Sequence, residues 1–129
     1  MIGKVITHIL KDNADLLLLV PEANIYPYVI NENTPLPAIV YTIDSLVPEY
    51  TKDGWVGDDC SFSIVSFSDD YAVLQNIVTE VRNALELESG VNEGITTQRI
   101  YLTGQSEGYN IIESVFLNKL SFSTVIIGY

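Results

Sequence analysis

The chain reads as an α+β protein: a mainly antiparallel β-sheet with two helices packed on one face, in the order α-β-β-β-α-β-β. Three observations carry this expectation. Within residues 58–68, Cys60, Phe62 and Ile64 fall on one side and Ser61, Ser63 and Val65 on the other, the period of two of a half-buried strand. At Asp69-Asp70 the period changes. Tyr71, Leu74, Val78, Val81 and Leu85 then recur every three or four residues, with Ile77 and Ala84 widening the stripe, which makes one apolar face of a helix. More strand-like runs flank this unit on both sides, and strands gathered around two helices give that layer arrangement.

In chain order, residues 2–11 come first as a helix, with Ile2, Val5, Ile6 and Ile9 on one face, Leu10 at its edge, and Lys4, His8 and Lys11 opposite. Asp15 caps a brief turn over 16–20 before Pro21 stops it. Residues 25–29 have strand composition but contain Pro27, which suits an edge because proline gives no N–H to a central ladder. Residues 31–35 form a loop. Residues 36–43 make a stronger strand, alternating Ile39, Tyr41 and Ile43 with Val40 and Thr42. Residues 47–57, with proline, Asp-Gly and a second glycine, read as a long loop. The strand and helix of residues 58–88 follow, with Asp69 or Asp70 as N-cap and Gly90 as the left-handed closing residue. Residues 96–106 and 114–127 form a closing hairpin that bends at 107–110.

A chain of 129 residues, 47% hydrophobic and only 18% charged, fits one domain over residues 1–129. Seventeen acidic residues against six basic ones leave a net charge of −11, so phosphate contacts have few cations to work with. Neither nucleic acid nor an anionic membrane is an expected partner. The run at 16–20 is too short to span a bilayer. The start lacks the long apolar core and cleavage site of a signal peptide, which predicts a reducing cytoplasm. Cys60 is the only cysteine and reads as a small buried side chain.

Constellations for chemistry are absent. Residues 104–108 match G-x-S-x-G around Ser106, but that chemistry needs a strand-to-helix turn and a later histidine. The single histidine, His8, lies near the other end and reads as solvated. Asp58-Asp59 and Asp69-Asp70 lie at opposite ends of one strand, too far apart to share an ion; they read as a solvated loop and a helix cap. No catalytic, cofactor-binding or metal-binding residue is expected, and no enzyme. The candidate contact residues are Glu49, Tyr50, Lys52, Asp53 and Trp55 in residues 47–57. Tyr and Trp dominate contact surfaces because they give large area for little entropy. The alternative for Trp55 is a place in the core.

The start MIGKVITHILKDNADL, then IYPYV, LPAIVY, SDDYAVLQNIVTEVRNALE and a late hairpin resemble the small tail-completion, or tail-terminator, proteins of long-tailed bacteriophages and prophages. The resemblance implies a structural protein that completes the tail tube as a homo-oligomeric ring, usually of six copies, and offers the filled head a joining surface. Its implied partners are itself, the tail tube protein and the head–tail connector protein. Its implied places are the bacterial host cytoplasm during assembly and the tail or neck of the virion. A neighbouring head–tail connector is the alternative within this class. Outside it stand a small intracellular ligand-binding or regulatory domain, which needs an apolar pocket, and an unrecognised enzyme, which needs clustered groups of shifted pKa.

Overall fold

A computed structural model describes residues 2–28 and 35–129. The alternating run predicted from Cys60 onward lies at the centre of the sheet, as β3 (Gly54–Ser68). It pairs antiparallel with β2 (Ala38–Thr51) on one side and β7 (Val115–Gly128) on the other. β1 (Ile25–Pro27) adds to the outer side of β2 in the one parallel pairing among the described residues. Pro27 therefore sits on an edge strand, where its missing N–H breaks no central ladder. The far side of β7 is shared: β6 (Tyr101–Asn110) pairs with its first part and β5 (Ile95–Thr97) with its end. β4 (Gly90–Asn92) closes on β5.

Helices α1 (Ile2–Lys11), α2 (Ala14–Leu19) and α3 (Tyr71–Leu85) cover one face of this sheet. Cys60, Phe62 and Ile64 of β3, with Leu120 and Phe122 of β7, meet Val5, Ile6 and Leu10 of α1 and the stripe of α3. Phe62 and Phe122 stand directly opposite in the ladder and stack at 5.4 Å, the kind of cross-strand pair that pins register. The buried stripe of α3 is Leu74, Ile77, Val78, Val81, Ala84 and Leu85. Tyr71, placed on that stripe by its spacing, is 46% exposed. At the first turn it rests on the start of β7, its ring centre 5.3 Å from that of Phe116.

Asp70 is the N-cap, accepting from Ala72 N–H at 2.9 Å and Val73 N–H at 3.3 Å. The closing residue is Leu87 at φ +66°, not Gly90. Leu87 turns early because its N–H is drawn to the Ile100 carbonyl at 2.7 Å, and Ile100 N–H in turn reaches Glu88 O at 2.9 Å. The short turn expected at 16–20 is a real helix, α2, and Asn13 caps it instead of Asp15. The Asn13 side chain accepts from Leu16 N–H at 3.1 Å, which places the start two residues earlier.

Two boundaries differ because ladder pairing outlasts the local sequence signal, and a third because the ladder is interrupted. The loop expected at 47–57 is strand on both sides, with Thr51 paired to Gly54 across a two-residue turn at Lys52-Asp53. Among the described residues the outer side of β2 is unpaired past Tyr41, where a proline breaks no ladder. The bend expected at 107–110 is also strand, since Glu107 to Asn110 pair with Asn118 to Val115, and the reversal comes at 111–114. The arm expected at 96–106 is broken into β5 and β6, because residues 98–100 turn to bond with 87–88 instead. Val29 and residues 31–34 of the expected first strand and loop lie outside the described residues.

Candidate assembly surface

β3 pairs with β7 only from Asp58 onward, whereas β2 and β3 stay paired to Thr51 and Gly54. The hairpin therefore leaves the sheet as a two-stranded arm. Where it leaves, Gly57 is pressed against β7. A Cβ there would come within 2.9 Å of Val125 Cγ1 and 3.1 Å of Ile126 O, so only glycine allows the approach. A register shift between Glu49 and Tyr50 adds a bulge that re-aims the tip. All five expected contact residues sit on this arm, and each is exposed. Tyr50 is 69% exposed and stands opposite Trp55 in the ladder.

Trp55 is neither free nor core. It is 40% exposed, and its Nε1–H donates to Asp58 Oδ1 at 2.9 Å. The hydroxyl of Tyr129 donates to the other oxygen of the same carboxyl, and the two rings lie 6.1 Å apart. Asp58, expected in a solvated loop, is only 6% exposed because these two rings cover it. Burial and this hydrogen bond push the Tyr129 hydroxyl up to about 12. The knot ties the root of the arm to the last strand. The Asp59 carboxyl beside Glu49 raises Glu49 above the ordinary range. Sequence reasoning missed Asp58, Asp59 and Tyr129 here; only a β2–β3–β7 register brings them together.

The weighed chemical constellations stay apart. Ser106 is exposed in mid-β6, opposite Lys119, where the hydrolase motif needs a strand-to-helix turn. His8 Nδ1 lies 3.1 Å from a Glu93 carboxylate oxygen, so the histidine expected to be solvated has an ionic neighbour. Burial pushes the Cys60 thiol up to about 11, which makes it a poor nucleophile at neutral pH. No group of His, Cys, Asp and Glu among the described residues is arranged to hold a metal ion. No described helix is long and apolar enough to cross a membrane.

The far end of the molecule is held by a second polar cluster. Glu107 of β6 accepts from Tyr71 O–H at 2.8 Å, Gln75 Nε2 at 2.9 Å and Asn118 Nδ2 at 3.4 Å. These donors hold its carboxyl below the ordinary range. Beyond it, Ile111 and Ile112 lead the turn at 82% and 95% exposure. The sequence signal for a bend falls at 107–110, four residues before the actual reversal, and so does not point to them.

No curated protein sequence matches the chain. Among solved structures, a chain from the virion of a native gene transfer agent particle has a similar fold. Its TM-score is 0.80 at 17% identity, covering 95% of this chain and 92% of that one. The family description "Tail completion protein gp17" matches residues 4–125. That span takes in α1, the β2–β3 arm, α3 and nearly all of β7, so the chain belongs to the tail completion protein gp17 family, and is a structural phage tail protein and not an enzyme.

Proposed function

We propose that this chain acts as one domain over residues 1–129, completing a phage or prophage tail as a homo-oligomeric ring, with six copies the expected number. The ring would cap the tail tube protein at its head-proximal end and give the head–tail connector protein a surface to join. Assembly would take place in the bacterial host cytoplasm, and the finished ring would sit at the neck. The observation that carries this reading is the β2–β3 arm. It stands clear of the sheet with Glu49, Tyr50, Lys52, Asp53 and Trp55 exposed near its tip. An isolated monomer gains little from Tyr50 at 69% exposure and from the unanchored part of the Trp55 ring, whereas a contact surface does.

Family membership supports the tail role, and the gene transfer agent chain supports the same fold in a virion setting. The mechanism is packing alone: a heterologous contact whose rotation closes into a ring. The test is deletion of the gene followed by electron microscopy of the lysate. The expected result is full heads without tails and tubes of irregular length, restored by the gene in trans. Normal joined particles from the deletion would overturn the reading.

A further inference from the structure

The two lateral edges of the sheet carry features of matching character. On one edge, Ile2, Pro27, Tyr28, Ile43 and Leu46 line an apolar groove of about 440 Å³ between α1, β1 and β2. On the other edge, the β6–β7 turn holds out Ile111 and Ile112, 82% and 95% exposed. The turn is fixed in shape, not frayed: Asn110 Oδ1 accepts from Ile112 N–H at 3.0 Å and Glu113 N–H at 3.2 Å. A pre-shaped projection loses little entropy on docking.

One charge agrees with shape. The groove shares Gly3 and Tyr41 with a neighbouring hollow of mixed charge, lined by Lys4, His8, Lys11, Asp12 and Glu93. His8 lies 3.1 Å from Glu93 and Lys11 3.9 Å from Glu22, so among the described residues Lys4, next to Gly3, is the hollow's cation without an ion pair. The projection carries Glu113 next to its isoleucines. Because groove and projection lie on opposite edges, one copy cannot satisfy both in the same partner by a two-fold axis without leaving the other edge empty. A head-to-tail contact satisfies both in every copy.

We propose that Ile111 and Ile112 of one copy seat in the Ile2–Tyr28–Ile43–Leu46 groove of the next, with Glu113 set against the Lys4 side of the groove. The occupant is a second copy of this chain, and the proposal rests on the ring reading above only for closure. It names the contact; the ring reading names how many contacts close.

Separate full-length proteins carrying Leu46→Cys and Ile112→Cys, mixed under mild oxidation, test it. Cys60 is buried and stays out of the reaction. The expected result is a mixed disulfide formed at least ~tenfold faster than between Leu46→Cys and Leu18→Cys, since docking raises effective concentration toward the millimolar range. Leu18 is 84% exposed on α2 and serves as the off-site thiol. Equal rates overturn the proposal and leave the groove to another occupant. Ile112→Asp supplies the second reading. It should abolish self-association while the monomer melts unchanged; association that persists in Ile112→Asp overturns the contact. A double Leu46→Cys/Ile112→Cys protein separates the two readings. A cross-linked ladder that stops at the hexamer supports both. One that runs on without limit supports the contact and sinks the closed ring.

Discussion

At the scale of single residues, the root of the arm depends on one buried carboxyl. Trp55 and Tyr129 donate to the two oxygens of Asp58, and a hydrogen bond to a charged group contributes about 1.5–3 kcal/mol. Trp55→Phe should therefore cost stability of that order in thermal or urea melts. Trp55→Phe with Tyr129→Phe should cost something other than the sum, because both act on the same acceptor. Strict additivity would show that the knot does not form in solution. This replaces the sharp choice the sequence left between a core and an interface Trp55: one edge of the ring is anchored while the remainder is offered to solvent. A second residue-scale test is Glu107. Its carboxyl is held below the ordinary value of 4.5 by Gln75, Tyr71 and Asn118. The lowered value means the stabilisation is complete above the unfolded-state range and is lost as pH falls through the folded value. Protection of the β6 amides, taken relative to the intrinsic exchange rate at each pH, should fall on acidification past that point, and Glu107→Gln should remove the pH step. Identical acid profiles for the two proteins would show that Glu107 does not hold β6 to α3.

At the scale of elements, α3 is the principal cover of the core. Six of its side chains are buried, and the larger ones, Leu74, Ile77, Val78, Val81 and Leu85, each contribute roughly 1.5–3 kcal/mol before the entropy of ordering is charged against them. Val78→Asp puts an unpartnered charge into that face, where Val78 is 5% exposed, and should unfold the protein. Circular dichroism showing native helix in Val78→Asp would mean the stripe is misassigned. Asp70→Ala should cost about 0.5–2 kcal/mol, as loss of an N-cap does. These elements were legible because their signals are local: a period of two, a period near four, and an acid at the junction. The arm was not. Pro48, Asp53, Gly54 and Gly57 each mark a turn when read alone. In the fold Pro48 lies within β2 opposite Asp58, Gly54 closes the two-residue turn, and Gly57 permits contact with β7. The same limit hid β4 and β5. A three-residue strand carries too little periodicity to be read, and these two exist because the Glu93-Gly94 turn brings Asn92 opposite Ile95. The candidate surface was legible as residue types, two aromatics among charges, but not as an arm knotted to the last residue.

For the whole molecule, assembly has to overcome repulsion. Each copy carries a formal charge of −11, and copies brought edge to edge bring those charges within one another's reach. The Debye length falls from about 30 Å at 0.01 M ionic strength to about 8 Å at 0.15 M. Added salt therefore weakens the repulsion between copies. Apolar burial of the kind Ile111 and Ile112 offer is left intact by screening, and is strengthened by excluded anions such as sulfate. The local attraction between Glu113 and the Lys4 side of the groove is also screened, but one such pair is exposed and contributes about 0–1 kcal/mol, too little to reverse the trend. Sedimentation velocity across a sodium chloride series should accordingly show self-association increasing with salt, and sodium sulfate should act more strongly at equal ionic strength. Association that dissolves as salt rises would mean that ion pairs, and not the isoleucine turn, hold the copies together. The aromatic tip of the β2–β3 arm would then be the next surface to dissect, with Tyr50→Ala as the first variant, since Tyr50 is 69% exposed and its loss leaves the Asp58 knot untouched.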